Sequence, residues 1–389
     1  MGATSGNIAA ARDEGQSRVR WWLFRAIAGC VPLFGIGAVI LSYYLYEVEM
    51  MPHGPTVRVT GDPLIQWDDE IGYAPALNSD TELHHFDSNA RYHVFTDRLG
   101  ARVDHLGDQT PDRVDIMTVG CSFSFALGID NEDSYTEQLM PLVGAIAANF
   151  AVGGYSSIQS LQMLRRHIDL RPKVVIYGFI PAHLQRNVSP CAPSFAPFCV
   201  STSYFQNRGD GASIHPPPPR LVGLEPMLRE LARHDPYNLA QILRVAVGAL
   251  RSDLFRYIAT RSDAYDESPE NMAAGVRFAV AEMARATRSI GSQLFVVYIP
   301  YMKPGEAVGP PESVLQAVAE AGVPFVDLSP AIGAFEEQYP DQPLSRTPDD
   351  GHPNALAHRI IAERLAVPLR EQLGASGLHE AGHSAGLGH

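Results

Sequence analysis

The sequence predicts an α/β protein: a three-layer sandwich around a mostly parallel sheet, carried behind one N-terminal transmembrane helix. Two observations predict the sandwich. From Val114 onward, short runs rich in Val and Ile alternate with stretches of helical apolar period. Polar residues able to do chemistry stand where such runs end: Ser122 after the first, and Asp349-Asp-Gly-His352-Pro-Asn354 before the last helix. A third observation predicts the membrane helix: Ala26 to Tyr46 carries no charge, about the length that spans a bilayer.

The anchor has the flanks such a helix needs. Trp21 and Trp22 mark one interface, and Tyr43, Tyr44 and Tyr46 the other. Arg18, Arg20 and Arg25 precede the run or open it, while Glu47 and Glu49 follow. The positive side stays inside. Residues 1–20 are therefore expected to be cytoplasmic, residues 21–46 to span, and the bulk of the chain to be extracytoplasmic, periplasmic if the cell is Gram-negative. A cleaved signal peptide is the rival reading, but no small-x-small cleavage site follows the apolar run. Pro32 and the glycines are tolerated in a membrane helix.

Composition narrows the function classes. The chain has 389 residues and a formal net charge of −13, which argues against nucleic acid as a partner. No phosphate-cradling Gly loop appears, and no cofactor is expected. His84-His85 and Asp349-Asp350-Gly-His352 offer ligand types without a recurring metal spacing, so no metal site is expected either. Of the four cysteines, Cys30 lies in the apolar run and Cys121 beside Ser122. Cys191 and Cys199 lie close together in a Pro-rich loop, where an oxidising compartment would let them close a disulfide.

The elements follow in order. Residues 50–111 hold short β-like stretches such as Ala90 to Thr96 and read as a small N-terminal subdomain. The α/β domain spans 112–372. Val114 to Val119 is its first strand, Ser134-Tyr-Thr-Glu137 opens a helix as a capping box, and Gly144 to Phe150 is the second strand. Ser157 to Leu170 is a helix with Leu161, Leu164 and Ile168 on one face, and Lys173 to Phe179 is the third strand. Residues 185–265 break the rhythm as an insertion or lid. Alternation resumes with a helix carrying Val276, Val280 and Met283, then the strands Leu294 to Ile299 and Pro324 to Leu328 with a helix between them. A final helix after Asn354 aligns Leu356, Ile360, Ile361 and Leu365. The tail 374–389 is Gly/Ala/His-rich and expected to be disordered.

In such a fold the loops at the strand C-termini carry the site. Ser122 there and an Asp/His pair before the last helix meet across the sheet top. That is an arrangement for nucleophilic catalysis. Asp349, three residues before His352, can hold the imidazole Nδ1–H and leave Nε2 free as base; Asp350 is its local rival. The thiol of Cys121 raises a Cys-His alternative.

These segments resemble the SGNH (GDSL-type) hydrolase superfamily, which has a flavodoxin-like α/β fold. Gly120-Cys121-Ser122 occupies its Gly-Asp-Ser block, followed by Phe123-x-x-x-x-Gly128. Asn149-Phe-Ala-Val-Gly-Gly154 matches its second block, and Asp349-x-x-His352 its last. The resemblance implies an ester hydrolase with Ser122 as nucleophile, His352 as base, Asp349 as orienting acid and Gly154 in the oxyanion hole. Two positions depart. Cys121 replaces the family's Asp, and Ala182 falls where the third block has its oxyanion Asn. His183, next to Ala182, is the expected substitute donor, with Asn187 behind it. The implied substrate is an acyl ester or an acylated carbohydrate. One alternative is an O-acetyltransferase for an envelope or secreted polysaccharide, partnered by a membrane acyltransferase. The other is a degenerate fold serving as a binding protein.

Overall fold

The computed structural model describes residues 57–85, 89–192, 200–208, 211–218, 266–303, 308–347 and 350–384. Segment 1–20 and the expected anchor at 21–46 lie outside the described residues, as does most of the expected insertion at 185–265. Among the described residues no helix is long and apolar enough to cross a membrane.

The N-terminal region supplies β1 (Val57–Gly61), β2 (Ile65–Asp68), β3 (Gly72–Pro75), β4 (Asp80–His85), β5 (Ala90–Thr96) and β6 (Arg102–Val103). Next come β7 (Ile116–Gly120), the single helical turn α1 (Ser122–Phe125), α2 (Tyr135–Val143), β8 (Ala147–Asn149), α3 (Ser157–Arg166), β9 (Val174–Phe179) and α4 (His183–Val188). A hairpin of β10 (Tyr204–Arg208) and β11 (Gly211–His215) is the described part of the insertion. The rest is α5 (Pro269–Ser289), β12 (Gln293–Tyr298), α6 (Glu312–Ala321), β13 (Phe325–Asp327), α7 (Ser329–Gln338), β14 (Ser345–Thr347), β15 (Asp350–Pro353) and α8 (Ala355–Ser384).

Local chemistry starts and stops the helices where the sequence says. The Ser134 hydroxyl accepts the Glu137 N–H at the start of α2, and Gly144 ends that helix in the left-handed conformation. Ser156 and Gln159 cap α3 reciprocally. Ser268 and Pro269 open α5, and Gly322 closes α6. At the C-terminus, α8 carries helix on to Ser384, into the segment expected as a disordered tail.

The described strands form a nine-stranded sheet in the order β1-β4-β5-β6-β8-β7-β9-β12-β13. Its half from β8 to β13 is parallel, and its other half is antiparallel. The N-terminal region is thus not a separate subdomain. Its strands continue the sheet through the Arg102–Asn149 pairing of β6 with β8, so only the second half of the sheet meets the expectation of parallel pairing. The reason is periodicity. In β4 the alternate residues Thr81, Leu83 and His85 are buried, the pattern of a strand covered on one face. Every residue of β7 and β9 is buried, the pattern of strands covered on both. Helices pack in two groups about them, α2 with α8, and α3, α4 and α6 with α5.

This topology fixes where a ligand can enter. Strand β7 lies between β8 and β9, so the chain leaves it to one side and returns to the other. The C-terminal end of such a strand opens a crevice between diverging connections. Ser122 is two residues beyond Gly120, the end of β7.

Candidate active site

The turn that carries Ser122 is built from close approaches. Gly120 has φ +155°, and a Cβ there would lie 2.6 Å from the Ser124 hydroxyl. A Cβ at Gly178 on the neighbouring strand would lie 2.1 Å from the same hydroxyl. Both glycines are required because the turn after Ser122 folds directly onto the strand ends. Asn149 Nδ2 donates to the Ser124 carbonyl at 2.9 Å. Arg102, 2% exposed, donates from Nη1 to the carbonyls of Phe125 (2.5 Å) and Ala126 (2.8 Å), and from Nη2 to that of Ile129 (2.6 Å). Burial lowers its pKa to about 10, still a cation at neutral pH. A buried cation and an amide therefore brace the turn that follows Cys121. Arg102 lies in a two-residue strand outside any motif, and no sequence signal marked it.

His352 reaches the serine from the far end of the chain. Its Nε2 lies 2.8 Å from Ser122 Oγ. Its Nδ1 lies 2.5 Å from Asp350 Oδ1. The partner of the imidazole is therefore Asp350, and this corrects the expectation of Asp349, which lies outside the described residues. The cause is local. Asp350 and His352 belong to β15, where residues two apart point to the same side; the three-residue spacing to Asp349 suits a turn.

Asp350 is itself clamped. Arg346 on β14 donates from Nε to Asp350 Oδ2 at 2.7 Å and from Nη2 to the same oxygen, while Nη1 meets Nδ1 of His85. His85, 1% exposed, faces the Tyr92 hydroxyl at 3.0 Å through Nε2. Burial pushes the Asp350 carboxyl up, but the hydrogen bond and charge of His352, with the charge of Arg346, outweigh it and hold the group well below the usual carboxylate range. A line of polar contacts thus runs from Tyr92 and His85 on the antiparallel half of the sheet to Ser122 on the parallel half. The Phe123 ring packs on the imidazole with centroids 4.8 Å apart.

Above these groups lies a cavity of about 500 Å3. Its lining includes the polar groups of Ser122, His352, Asp350, Arg186 and Arg346, the backbone of Gly153 and Gly154, and the apolar side chains of Leu64, Ile65, Leu83, Phe125 and Leu127. Gly154, with φ +81°, lines the same cavity as Ser122 and His352.

His183 is not at this cavity, which corrects its expected place as an oxyanion donor. It is fully buried on α4, its Nδ1 2.8 Å from the Tyr177 hydroxyl. Burial, reinforced by the Arg186 charge, keeps its imidazole neutral, with a pKa well below the ordinary value. Asn187 is also fully buried and accepts the Ser157 N–H at 2.8 Å, so an oxyanion role does not fit it. The residue of α4 that does line the cavity is Arg186.

Cys121 is a free, buried thiol pushed up by desolvation, which disfavours the thiolate a Cys-His mechanism requires. Cys191 is disulfide-bonded; Cys199 lies outside the described residues. No group of three or more metal-ligating side chains occurs among the described residues.

At the level of sequence, no family model and no curated protein matches the chain. Solved structures do. A catalytic mutant of Axe2, an acetylxylan esterase from Geobacillus stearothermophilus, matches with a TM-score of 0.36 at 13% identity, over 69% of this chain and 97% of that one. TesA matches at 0.33 and 14%, over 66% and 98%. A lipolytic protein of the G-D-S-L family from Desulfitobacterium hafniense, described as putative, matches at 0.32 and 10%, over 64% and 97%.

Proposed function

We propose that this chain is a serine ester hydrolase of the SGNH type, anchored by its N-terminal helix and acting outside the cytoplasm. One observation carries the reading: a single imidazole lies 2.8 Å from Ser122 Oγ through one nitrogen and 2.5 Å from Asp350 through the other. That fixes the tautomer with Nδ1 protonated and leaves Nε2 as acceptor for the serine proton.

The steps follow. His352 Nε2 takes the proton as Ser122 Oγ attacks the ester carbonyl carbon. The carbonyl electron pair moves to oxygen, beside the N–H groups of Ser122 and Gly154. Ser122 opens a helical turn, so its N–H has no partner within that turn. Asp350 stabilises the imidazolium. The tetrahedral intermediate collapses, and His352 returns the proton to the departing alkoxide, leaving an acyl-serine. Water, deprotonated by His352, then releases the acid. The apolar side chains lining the cavity suit the acyl side of the ester, and its polar groups the alcohol side. A sugar hydroxyl could replace water in the second half, making the same site an O-acyltransferase; the cavity volume of about 500 Å3 leaves room for an acceptor.

The disulfide at Cys191 supports an oxidising compartment. The uncharged run at 26–46, with arginines before it, supports the anchor.

Ser122→Ala tests the reading. The full chain should label with a fluorophosphonate probe and hydrolyse 4-nitrophenyl acetate, and the variant should do neither. Undiminished labelling of the variant would remove Ser122 as nucleophile.

A further inference from the structure

The oxyanion hole is short of a donor. By the resemblance to the SGNH pattern Ala182 takes the place of the third-block Asn, and His183 is turned into the core. Arg186 lies one helical turn beyond Ala182, its N–H hydrogen-bonded to the Ala182 carbonyl at 3.1 Å. Side chains on a helix lean toward its N-terminus, so that of Arg186 covers the turn at Ala182. It lines the same cavity as Ser122, Gly154 and His352.

Its contacts are with the residues adjoining the two backbone donors. Arg186 Nη1 lies 3.4 Å from the carbonyl of Tyr155, the residue after Gly154. The guanidinium also neighbours the thiol of Cys121, the residue before Ser122. It forms no ion pair with a carboxylate among the described residues, unlike Arg346 at the other side of the cavity, which is spent on Asp350. A guanidinium has five N–H donors, and the Tyr155 carbonyl engages one nitrogen at long range. Arg186 lines the pocket that also holds the reacting serine.

We propose that Arg186 is the third oxyanion donor of this site, replacing with a charged guanidinium the amide absent at position 182. As Ser122 Oγ bonds to the carbonyl carbon and the electron pair moves to oxygen, the Arg186 N–H groups share that charge with the Ser122 and Gly154 N–H groups. No proton leaves the guanidinium, and the donation reverses when the carbonyl re-forms. A fixed positive charge stabilises the developing oxyanion more than the neutral ground state, so its effect falls on kcat.

The inference rests on the ester-hydrolase reading, and its test separates the two. The full chain and its Arg186→Gln, Arg186→Lys and Arg186→Ala variants are assayed with 4-nitrophenyl acetate, a neutral ester that offers no anion for a binding role. Thermal unfolding is followed in parallel. Arg186→Gln is expected to lower kcat about a hundredfold with KM within about threefold, the size of losing one such donor. Arg186→Lys is expected to recover part of that loss, and added guanidinium to rescue Arg186→Ala while its melting temperature stays unchanged by the additive. If Arg186→Gln keeps kcat, or raises KM alone, Arg186 is not an oxyanion donor. If loss of activity tracks loss of folding and guanidinium does not rescue it, the residue is structural and the inference also falls. An active Ser122→Ala protein would overturn the hydrolase reading itself; an inactive one beside a fully active Arg186→Gln overturns only this inference.

Discussion

Asp350 sits two residues before His352 on the same short strand, and its Oδ1 lies 2.5 Å from the imidazole Nδ1. Its other oxygen is held by Arg346. The carboxylate therefore faces a hydrogen-bond donor with each of its oxygens, which fixes both its own orientation and that of the imidazole. Asp350→Asn should leave the fold intact and lower kcat by about 10⁴-fold, because an amide can donate to Nδ1 and stabilise the wrong tautomer. Asp349→Asn should stay within about threefold of the native rate. Steady-state kinetics of the two variants decide between the acids, and a severe loss at Asp349 with full activity at Asp350 would reverse the assignment.

The cavity wall sets an expected acyl preference. Leu64, Ile65, Leu83, Phe125 and Leu127 present an apolar surface beside Ser122 in a space of about 500 Å3, more than an acetyl group fills. Burial of each methylene is worth about 0.8 kcal/mol, or about fourfold in kcat/KM. Across 4-nitrophenyl acetate, butyrate and hexanoate, kcat/KM should climb at about that rate per methylene until the wall is reached. Leu83→Trp should lower the ratio of hexanoate to acetate turnover. A profile that peaks at acetate would show that the wall does not receive the acyl chain.

Buried histidines set the acid stability of the domain. His358 is fully buried, its Nδ1 accepting the Tyr135 N–H at 3.1 Å. Burial, then the charges of Arg102 and His352, lower its pKa to about 3. His167 falls to about 4, chiefly through burial. The unfolded imidazoles titrate near 6.5, so between that pH and the folded values the unfolded state binds more protons. The stability from these groups is complete above about pH 6.5 and is lost as the pH falls, by about 1.4 kcal/mol per unit for each histidine. His358→Asn keeps an oxygen to accept the Tyr135 N–H and removes one titration. Urea unfolding from pH 7 to 4 should give the variant a slope shallower by about one proton; an unchanged slope would mean that His358 is not neutral in the fold.

Much of this was readable from residues alone. The parallel strands at β7, β9 and β12 announced themselves as continuous apolar runs, and their helices as capped, periodic stretches, because burial on both faces leaves no room for polar alternation. The antiparallel half of the sheet was harder to place. Its strands are short and half-buried, and what they pair with depends on contacts distant in sequence, such as Arg102 with Asn149.

The sequence by itself determined Ser122 at a strand end, Gly154 in the second block and His352 ahead of the last helix, because each is tied to a local element whose period or turn chemistry is written in neighbouring residues. Only the tertiary structure decided the rest. It chose Asp350 over Asp349 because strand geometry puts residues two apart on one face. It sent His183 into the core and brought Arg186 to the cavity, a choice made by what α4 packs against. It set Arg102 and Arg346 on the turn and the acid from segments with no motif of their own. Partners such as Arg102 with Phe125, Ser122 with His352 and His85 with Arg346 stand 23, 230 and 261 positions apart; they are selected by packing, which is a property of the folded chain rather than of any window of its sequence.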